Sequence, residues 1–393
     1  MTLRLAYVTL YDPNDPEQWS GLGHAIMQSL KRQQLQVTPL GPLRGRLGSL
    51  KCVAESVHAI VSRGYYEFQR ERVVGWDYAR QVSAKMARDD FDVVLSVGAP
   101  IAVSWLSCRQ PIAIWSGATF ASLIHHYRFV DGNCRASIRA GHRMERAALT
   151  RAGLLLFASE WAAESAVRDY GADPSKIRVV PFGANLAHPP CRGDVMRAVE
   201  ARPREVCRLI SVGVEWERKG MARAVDLSVA LNERGIPTEL HIVGCDPPPG
   251  YRLPAHVRVC GRIDKSSPGG EQRLGALLAP SHFHVLLSTA ECFGIAFCEA
   301  NAWGVPNIAS DIGGVPSAVR NGKGGWRFST STPVETIADF IAVLHRDRDR
   351  YIGAAHCARV EYEQRLNWDV AGASAKAHVE SIAAGVRSGS GGI

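Results

Sequence analysis

The sequence predicts an α/β protein of two doubly wound, Rossmann-like domains that face each other across a cleft. Short apolar runs alternate with amphipathic stretches, which is the pattern of parallel strands covered by helices. The chain has 393 residues, more than a single hydrophobic core comfortably serves. The alternation stops near residue 187 and restarts near residue 206, so it divides the chain into two α/β halves.

The first half is predicted to contain six strands separated by helices. The helix in "SEWAAESAVRDYG" has the clearest ends, with Ser159 as N-cap and Gly171 just beyond the last turn. The other clear helices span residues 23–32, 77–88 and 135–150. The predicted strands are LRLAYVTL, LQVTPL, DVVLSV, PIAIW, GLLLFAS and IRVVPF.

The second half repeats the alternation after a polar, irregular segment. We predict a first domain over residues 1–186, a linker over 187–205 and a second domain over 206–367. A C-terminal helix at about 368–386 is expected to pack back on the first domain. Helices are expected at 219–234 and 272–278, and the strands are CRLISVG, TELHIVG, HVRVCG, HFHVLLS, PNIAS and GGWRF.

Composition and cysteine usage favour the cytoplasm. Hydrophobic residues make up 46% of the chain and charged residues 21%, as in soluble globular proteins. No run of about 18 apolar residues occurs, so no transmembrane helix is expected. The first residues soon become acidic and Pro-rich, which is unlike a signal peptide. The ten cysteines are scattered without metal-ligand spacing, which is typical of a reducing compartment.

The formal net charge of +8 indicates an anionic partner or an ordinary solvated basic surface. Much of the excess lies in the first half, including Arg44, Arg46, Lys51 and Arg72. A phosphorylated small molecule fits this charge, and so does peripheral contact with the inner face of an anionic membrane. Nucleic acid is not expected as a partner, because no aromatic-interleaved basic strand and no Lys/Arg block occurs.

Two turns that follow predicted strands contain glycine and open helices. After the first strand, "WSGLGHAIMQSL" places Gly21 and Gly23 where the backbone can approach a ligand. After CRLISVG, "SVGVEWERKGM" places Arg218 and Lys219 at the predicted start of a helix, where the macrodipole disfavours cations. A nearby anion would compensate that field. Each stretch alone also fits a tight turn or a solvated Arg–Lys pair.

A third stretch, "ECFGIAFCEANAWGVP", places carboxylates on both sides of a predicted helix start. Glu291 lies on the loop after a buried strand, and the helix is expected to begin near Gly294 or Ile295. The N–H groups there would face a diphosphate. Glu299 lies about one turn further on among apolar neighbours, where a carboxylate needs a partner. We interpret the amides as phosphate ligands and the carboxylates as acceptors for sugar hydroxyls.

Together, these motifs resemble the retaining family 4 glycosyltransferases of the GT-B fold. The resemblance rests on a Gly-x5-Lys-Gly element at 213–220, a Glu-x7-Glu element at 291–299, and the Gly-x-Pro and Gly-Gly-x-Pro turns that follow. It covers residues from about 151 to 326. It implies metal-independent transfer of a sugar from a UDP- or GDP-linked donor to a hydroxyl of a glycan, lipid-linked or small-molecule acceptor.

The resemblance also implies roles for the matching residues. In catalysis, Lys219 would neutralise the diphosphate and Glu291 would hold the sugar at its reacting carbon. In donor binding, Glu299 would hold the ribose, and the turn at Gly21 would close on the phosphates from the other domain. The full donor-binding set is Gly21, Gly23, Arg218, Lys219, Arg262, Ile263, Phe293, Gly294, Ile295 and Glu299, in which Arg262 and Ile263 would frame the base.

The sequence departs from the family pattern at two places. Val214 occupies the position where the family usually has Arg. At the exit of PIAIW, where the family often has His or Asp, this chain has Ser116 and Gly117. His125 and His126 follow and are the acceptor-side candidates, although such a pair also fits a polar surface.

These departures leave a second function open, that of a catalytically silent nucleotide-sugar-binding partner of another transferase. A related GT-B enzyme such as a phosphorylase or an epimerase is a third, although no lysine context resembles a pyridoxal phosphate site. No cofactor and no metal are expected. Asp90 and Asp92 precede a strand, at the wrong edge of the sheet, and Asp347 and Asp349 belong to an alternating charged helix face.

Overall fold

The chain divides into two compact units, which we call unit 1 and unit 2. The computed structural model describes residues 2–61, 64–124, 126–127 and 132–389. Unit 1 comprises the described residues of Met1–Pro181 and Ala371–Ile393, and unit 2 comprises Phe182–Val370.

Unit 1 is built on a six-stranded parallel sheet with the strand order β2-β1-β3-β4-β5-β6. The central strands are buried apolar runs, as expected for a sheet covered on both faces. The order reverses between β1 and β3, so this is where the sheet is doubly wound. The strands are β1 (Arg4–Val8), β2 (Gln36–Pro39), β3 (Val93–Val97), β4 (Ile112–Ser116), β5 (Leu154–Phe157) and β6 (Ile177–Val179).

The helices of unit 1 cover this sheet. The predicted helix at 160–170 is confirmed with both caps, because Ser159 Oγ accepts the Ala162 N–H and Gly171 is left-handed at φ 66°. The helices are α1 (Leu22–Arg32), α2 (Gly48–Val61), α3 (Arg72–Met86), α4 (Pro100–Val103), α5 (Phe120–Ile124), α6 (Arg135–Arg151) and α7 (Glu160–Tyr170).

Unit 2 contains a second six-stranded parallel sheet with the order β12-β11-β10-β7-β8-β9. The order reverses between β7 and β10. Both sheets therefore confirm the predicted doubly wound α/β fold class. The strands are β7 (Cys207–Val212), β8 (Thr238–Val243), β9 (Val257–Val259), β10 (Phe283–Leu286), β11 (Asn307–Ser310) and β12 (Gly325–Phe328).

The helices of unit 2 include one that the sequence does not predict. Residues 187–205, expected to be an irregular linker, belong to unit 2 and contain α8. That expectation is wrong because Val195 and Val199 are buried against Ala355. The helices are α8 (Arg192–Glu200), α9 (Met221–Glu233), α10 (Gly270–Leu278), α11 (Ile295–Ala302), α12 (Val315–Ala318), α13 (Val334–Arg346) and α14 (Arg348–Gln364).

The last helix, α15 (Trp368–Gly389), begins in unit 2 and belongs to unit 1 from Ala371 onward. There, Gly372 lies against the backbone of Ser29, and Lys376 donates a hydrogen bond to the Gln33 carbonyl at 3.0 Å. Within the described part of the chain, no helix combines the length and apolarity needed to cross a membrane.

Candidate active site

The predicted site residues of unit 2 lie at the switch point of its sheet. In a doubly wound sheet, ligands bind beyond the carboxyl ends of the strands where the strand order reverses. The neighbouring strands β7 and β10 form that point. The loop after β7 carries Lys219, and the loop after β10 carries Glu291.

The loop after β7 is shaped by two glycines that no other residue could replace without a shift. A Cβ on Gly213 would lie 2.8 Å from Cγ of Lys219. Gly220 is left-handed at φ 67°, and a Cβ there would lie 2.1 Å from the Leu287 carbonyl oxygen. Because both residues lack a Cβ, the lysine loop can pack closely against Leu287, the residue after β10.

Lys219 and Glu291 form an ion pair through Nζ and Oε2, and both side chains are largely buried. Arg218 lies next to this pair, with Nη1 3.8 Å from the same Glu291 oxygen and 3.1 Å from the Ala290 carbonyl. The Arg218 guanidinium also bonds Glu215 at 2.7 Å and lowers the pKa of that carboxyl.

This arrangement corrects one expectation about the lysine. The helix after the loop begins at Met221, so Lys219 lies before its first turn and not at its start. Gly220 provides the N-cap instead. The anion that balances the lysine within the protein is Glu291.

The first turn of α11 lies immediately after this pair. Gly294 is the N-cap, with φ 91°, and Ile295 is the first helical residue. A Cβ on Gly294 would lie 2.4 Å from the Phe297 ring. The Phe293 ring is buried and packs edge-on against Phe182 at 5.5 Å. The turn therefore presents backbone N–H groups, while the Phe293 side chain serves the core.

Glu299 is buried in α11, and its ion-pair partner is Lys265, a residue that the sequence does not identify as its partner. Lys265 Nζ pairs with Glu299 Oε1, and the lysine side chain remains 31% exposed. The need for a partner was visible in the sequence, since Glu299 lies among apolar residues. Lys265 itself could not be identified from the sequence, because it lies 34 residues from Glu299, on the loop after β9.

The same loop holds the residues expected to frame a base. Arg262 is exposed, and Ile263 packs against the core cluster that includes Val243 and Leu274. Val214, at the position where the family usually has Arg, is 63% exposed.

A neutral histidine lies beneath the ion pair. His284 in β10 is fully buried, and its Nδ1 is 2.7 Å from Asn307 Oδ1. Burial lowers the pKa of His284 to about 4, and the Lys219 charge acts in the same direction. The interior at His284 is therefore buried and uncharged, so it screens the field of the lysine only weakly.

The glycine turn of unit 1 lies at the switch point between β1 and β3. Gly21 is left-handed at φ 76° and caps α1, and the two residues before it, Trp19 and Ser20, also have positive φ values of 50° and 55°. Such strained residues cluster at functional sites. Gly23 has a packing role, because a Cβ there would lie 2.5 Å from the Tyr11 ring.

Ser116 and Gly117 stand at the exit of β4, where the family often has His or Asp, and neither side chain is titratable. Ser116 ends the strand, and its Oγ donates to the Ala118 carbonyl at 2.8 Å. The His126 ring lies 5.2 Å from the Trp161 ring, and His125 lies outside the described residues. Over the described ranges, no group of three or more His, Cys, Asp or Glu side chains is arranged to hold a metal ion.

Two family models match most of the chain. The model "Glycosyltransferase Family 4" matches residues 24–188, and "Glycosyl transferases group 1" matches residues 194–360. The chain belongs to the family 4 glycosyltransferases of the GT-B fold.

Curated relatives include D-inositol 3-phosphate glycosyltransferases. The protein of that name from Streptomyces bingchenggensis is 29% identical over 58% of this chain and 53% of its own length. The one from Corynebacterium efficiens is 28% identical over 68% of this chain and 65% of its own length. The chain thus spans between half and two thirds of these relatives.

Solved structures of glycosyltransferases share the fold. The sucrose-phosphate synthase of Thermosynechococcus elongatus aligns over 98% of this chain and all of its own, with a TM-score of 0.71 and 16% identity. Anabaena HepE in complex with UDP and glucose aligns over 96% of this chain and all of its own, with a TM-score of 0.63 and 16% identity.

Proposed function

We propose that this protein is a metal-independent, retaining glycosyltransferase. It moves a sugar from a UDP- or GDP-linked donor to a hydroxyl group of a glycan, lipid-linked or small-molecule acceptor. The observation that carries this proposal is the Lys219–Glu291 pair beside the first turn of α11, at the switch point of unit 2.

Lys219 and the α11 amides stabilise the leaving group. As the bond between sugar and diphosphate breaks, negative charge grows on the diphosphate oxygen. A fixed ammonium and free helix N–H groups at Gly294 and Ile295 offset that charge without reorganising. These groups perform the task that a metal ion serves in other transferases, so activity is expected to persist after chelation.

Glu291 holds the sugar. Its carboxylate accepts hydrogen bonds from sugar hydroxyls and stabilises the oxocarbenium-like charge that develops at the reacting carbon. The ion pair with Lys219 must therefore open as the donor enters, with the lysine turning to the diphosphate. Exchange of one anionic partner for another avoids leaving either charge buried and alone.

Glu299 binds the ribose of the donor, and the ion pair with Lys265 holds that carboxylate in position. The lysine is partly exposed, so it can move aside or contact the ribose as well. Arg262 and Ile263 lie on the same loop and flank the base. HepE, which shares this fold, was solved in complex with UDP and glucose, and this supports a nucleotide-linked donor for this chain.

Because the curated relatives are D-inositol 3-phosphate glycosyltransferases, D-inositol 3-phosphate is the first acceptor to test. D-inositol 3-phosphate is a small molecule with free hydroxyls and a phosphate, and this chain's net charge of +8 suits an anionic acceptor. The stretch 64–86 in unit 1 supplies two exposed arginines, Arg72 and Arg80, for such a molecule or for a lipid-linked one.

A surface of unit 1 also supports peripheral attachment to an anionic membrane. The α2 helix turns Leu50, Val53 and Val57 outward, and they are 48%, 62% and 52% exposed. Their spacing places them along one helix face. Exposed basic residues lie in the segment before α2 and on α3: Arg44, Arg46, Arg72 and Arg80. An apolar stripe with a basic border is the pattern of helices that lie in a lipid interface.

Trp76 on α3 is a further exposed apolar residue, and it lines a pocket together with Arg80 and Leu47, the residue before α2. It is 48% exposed, and the Arg72 guanidinium lies 4.6 Å above its ring. Self-association through this face would place the same arginines against each other, which like charges oppose. Anionic headgroups would instead complement them, at about 1 kcal/mol per basic side chain.

A donor screen tests the proposed function. The full chain is incubated with UDP- and GDP-sugars, with and without inositol 3-phosphate, and nucleotide release and product are followed by mass spectrometry. We expect release from one donor that survives EDTA, and a product whose anomeric configuration by NMR matches that of the donor. Donor binding without any release, to acceptor or to water, would instead support a catalytically silent partner of another transferase.

A further inference from the structure

A pocket in unit 2 gathers positive charge at the end of the sheet opposite the candidate active site. Its volume is about 300 Å³, and it opens where β7 and β10 begin. Among the residues that the structure describes, no carboxylate lines it. The lining residues are Pro203, Arg204, His282, His345, Arg346, Arg348 and Tyr351.

The pocket and the candidate active site lie at opposite ends of one strand. His282 immediately precedes β10, whereas Glu291 and Gly294 follow it. Four strand residues span about 13 Å. A molecule in the pocket therefore does not touch Lys219 or Glu291.

Two of the pocket arginines, Arg346 and Arg348, donate hydrogen bonds to backbone carbonyl groups. Arg348 Nη2 donates to the Glu200 carbonyl at 2.6 Å, and Arg346 Nη2 donates to the Arg234 carbonyl at 3.3 Å. Each guanidinium has five N–H donors, so several remain for a ligand. Carbonyls fix the side chains in place but do not neutralise them.

A fourth guanidinium lies beneath the pocket. Arg202 is 3% exposed and donates to the carbonyls of Ala279, Gly304 and Trp303 and to Tyr351 Oη. Among the described residues, no ion pair joins a carboxylate to Arg202, Arg204, Arg346 or Arg348. Three acids are adjacent in sequence to these arginines. Glu205 and Asp347 accept hydrogen bonds from the backbone N–H groups of Arg204 and Arg350, and Asp349 is exposed in the first turn of α14.

The two histidines form a neutral wall. His282 Nδ1 accepts the Arg208 N–H at 3.0 Å, so Nε2 carries the proton and donates to the Pro203 carbonyl at 2.8 Å. Burial lowers the pKa of His282 to about 2, and His345 and Arg202 add to the effect. Burial and Arg348 lower the pKa of His345 as well. Both histidines are therefore neutral, and the positive charge at the pocket comes from the arginines.

We propose that this pocket binds a small phosphate-bearing molecule. Guanidinium groups match the geometry of phosphate oxygens, and four uncompensated charges around one concavity favour a dianion. A pocket of about 300 Å³ admits inorganic phosphate or a phosphorylated sugar. The ligand would bridge α13, α14 and the starts of two strands, and so stabilise unit 2 from the end remote from the reaction.

The test measures binding of two probes to the full chain by calorimetry at constant ionic strength. Inorganic phosphate and glucose 6-phosphate are titrated into the wild type, the double variant Arg204→Gln/Arg346→Gln and Lys219→Ala. Both exchanged arginines are exposed, so folding is expected to survive. The control is Arg350→Gln, an exposed arginine on α14 that lies 3.9 Å from Asp347.

We expect saturable binding that weakens at least tenfold in the double variant and stays unchanged in Lys219→Ala and Arg350→Gln. Tighter binding of glucose 6-phosphate would assign an organic phosphate, and equal affinity would assign phosphate itself. Undetectable binding, or equal binding by the double variant, overturns the proposal. Loss in Lys219→Ala alone would place the anion at the proposed diphosphate site, which also overturns it.

Discussion

Lys219 and Glu291 are 72 residues apart in the sequence, yet they form a largely buried ion pair where β7 and β10 end. The pair holds a cation and a carboxylate at the sheet edge where the diphosphate and the transferred sugar are proposed to bind. Lys219 is the nearer of two cations at this carboxylate, because Arg218 Nη1 lies 3.8 Å from the same Glu291 oxygen.

Replacing Lys219 tests the leaving-group role. We expect Lys219→Ala to lower kcat/KM about 100- to 1,000-fold, as the loss of one preorganised donor to a developing anion does. The measurement is initial rate against donor concentration, with circular dichroism to verify folding. Lys323→Ala, an exposed lysine of the same unit, is the control. A folded Lys219→Ala protein with wild-type kcat/KM would refute the role.

Replacing Glu299 tests the ribose role. Hydrogen bonds to a charged group contribute about 1.5–3 kcal/mol. We therefore expect Glu299→Gln to raise the donor KM about 10- to 100-fold with a smaller change in kcat. Exposed Glu335→Gln serves as the comparison. An unchanged KM, with the variant folded, would show that Glu299 serves only as the partner of Lys265.

Gly220 allows a test of backbone geometry against a matched glycine. An L-residue in the left-handed region costs about 1–2 kcal/mol. Gly220→Ala also forces a Cβ against the Leu287 carbonyl, whereas Gly235, with φ 71°, has open space. We expect Gly220→Ala to lower the urea midpoint clearly more than Gly235→Ala. Equal shifts would mean that the lysine loop moves away from β10 freely.

Glu145 predicts a pH-dependent stability in unit 1. Burial raises the pKa of this carboxyl from 4.5 to about 7, against the opposing effects of Arg70 and the Phe120 N–H. The folded protein binds the proton more tightly, so this contribution is complete below about pH 4.5 and is lost as pH rises through 7. We expect Glu145→Gln to flatten the fall in unfolding free energy over that range.

The control for that measurement is the exposed Glu164→Gln on α7. Chemical denaturation at several pH values between 4 and 8 gives the slope for each protein. If the wild type and Glu145→Gln have the same slope, the buried carboxyl does not titrate in this window.

The α2 surface predicts binding to anionic vesicles. We expect the wild type to sediment with vesicles of phosphatidylglycerol and phosphatidylcholine, less so in high salt, and poorly with phosphatidylcholine alone. Leu50→Ser/Val53→Ser/Val57→Ser should abolish sedimentation. Val343→Ser, a 56% exposed apolar residue of unit 2, should not. Binding that is insensitive to lipid charge, or a triple variant that binds normally, would exclude this surface.

The sequence predicts elements whose signals are local. Both ends of α7 are marked by residues next to it in the sequence. Ser159 caps the N-terminus through its hydroxyl, and the left-handed Gly171 follows the last helical residue. The ends of two switch-point strands, β3 and β7, follow from apolar runs that stop just before Gly98 and Gly213. Such features need no knowledge of what packs against them.

Elements and contacts that depend on distant residues were missed. Helix α8 looked like a linker because its few apolar residues matter only through burial against Ala355. Helix α2 was not predicted because its apolar side chains face outward and do not mark a core face. Lys265 could not be assigned to Glu299, since nothing in a sequence states which cation reaches a buried carboxylate.

The course of α15 has a consequence for how the protein is made. Unit 2 is one continuous segment, Phe182–Val370, whereas unit 1 is assembled from segments on both sides of it. As the chain leaves the ribosome, unit 2 can fold before the segment that docks on Ser29 and Gln33 has been translated. A chain that ended at Val370 would therefore contain all of unit 2. It would lack the part of α15 that packs on Ser29 and Gln33 in unit 1.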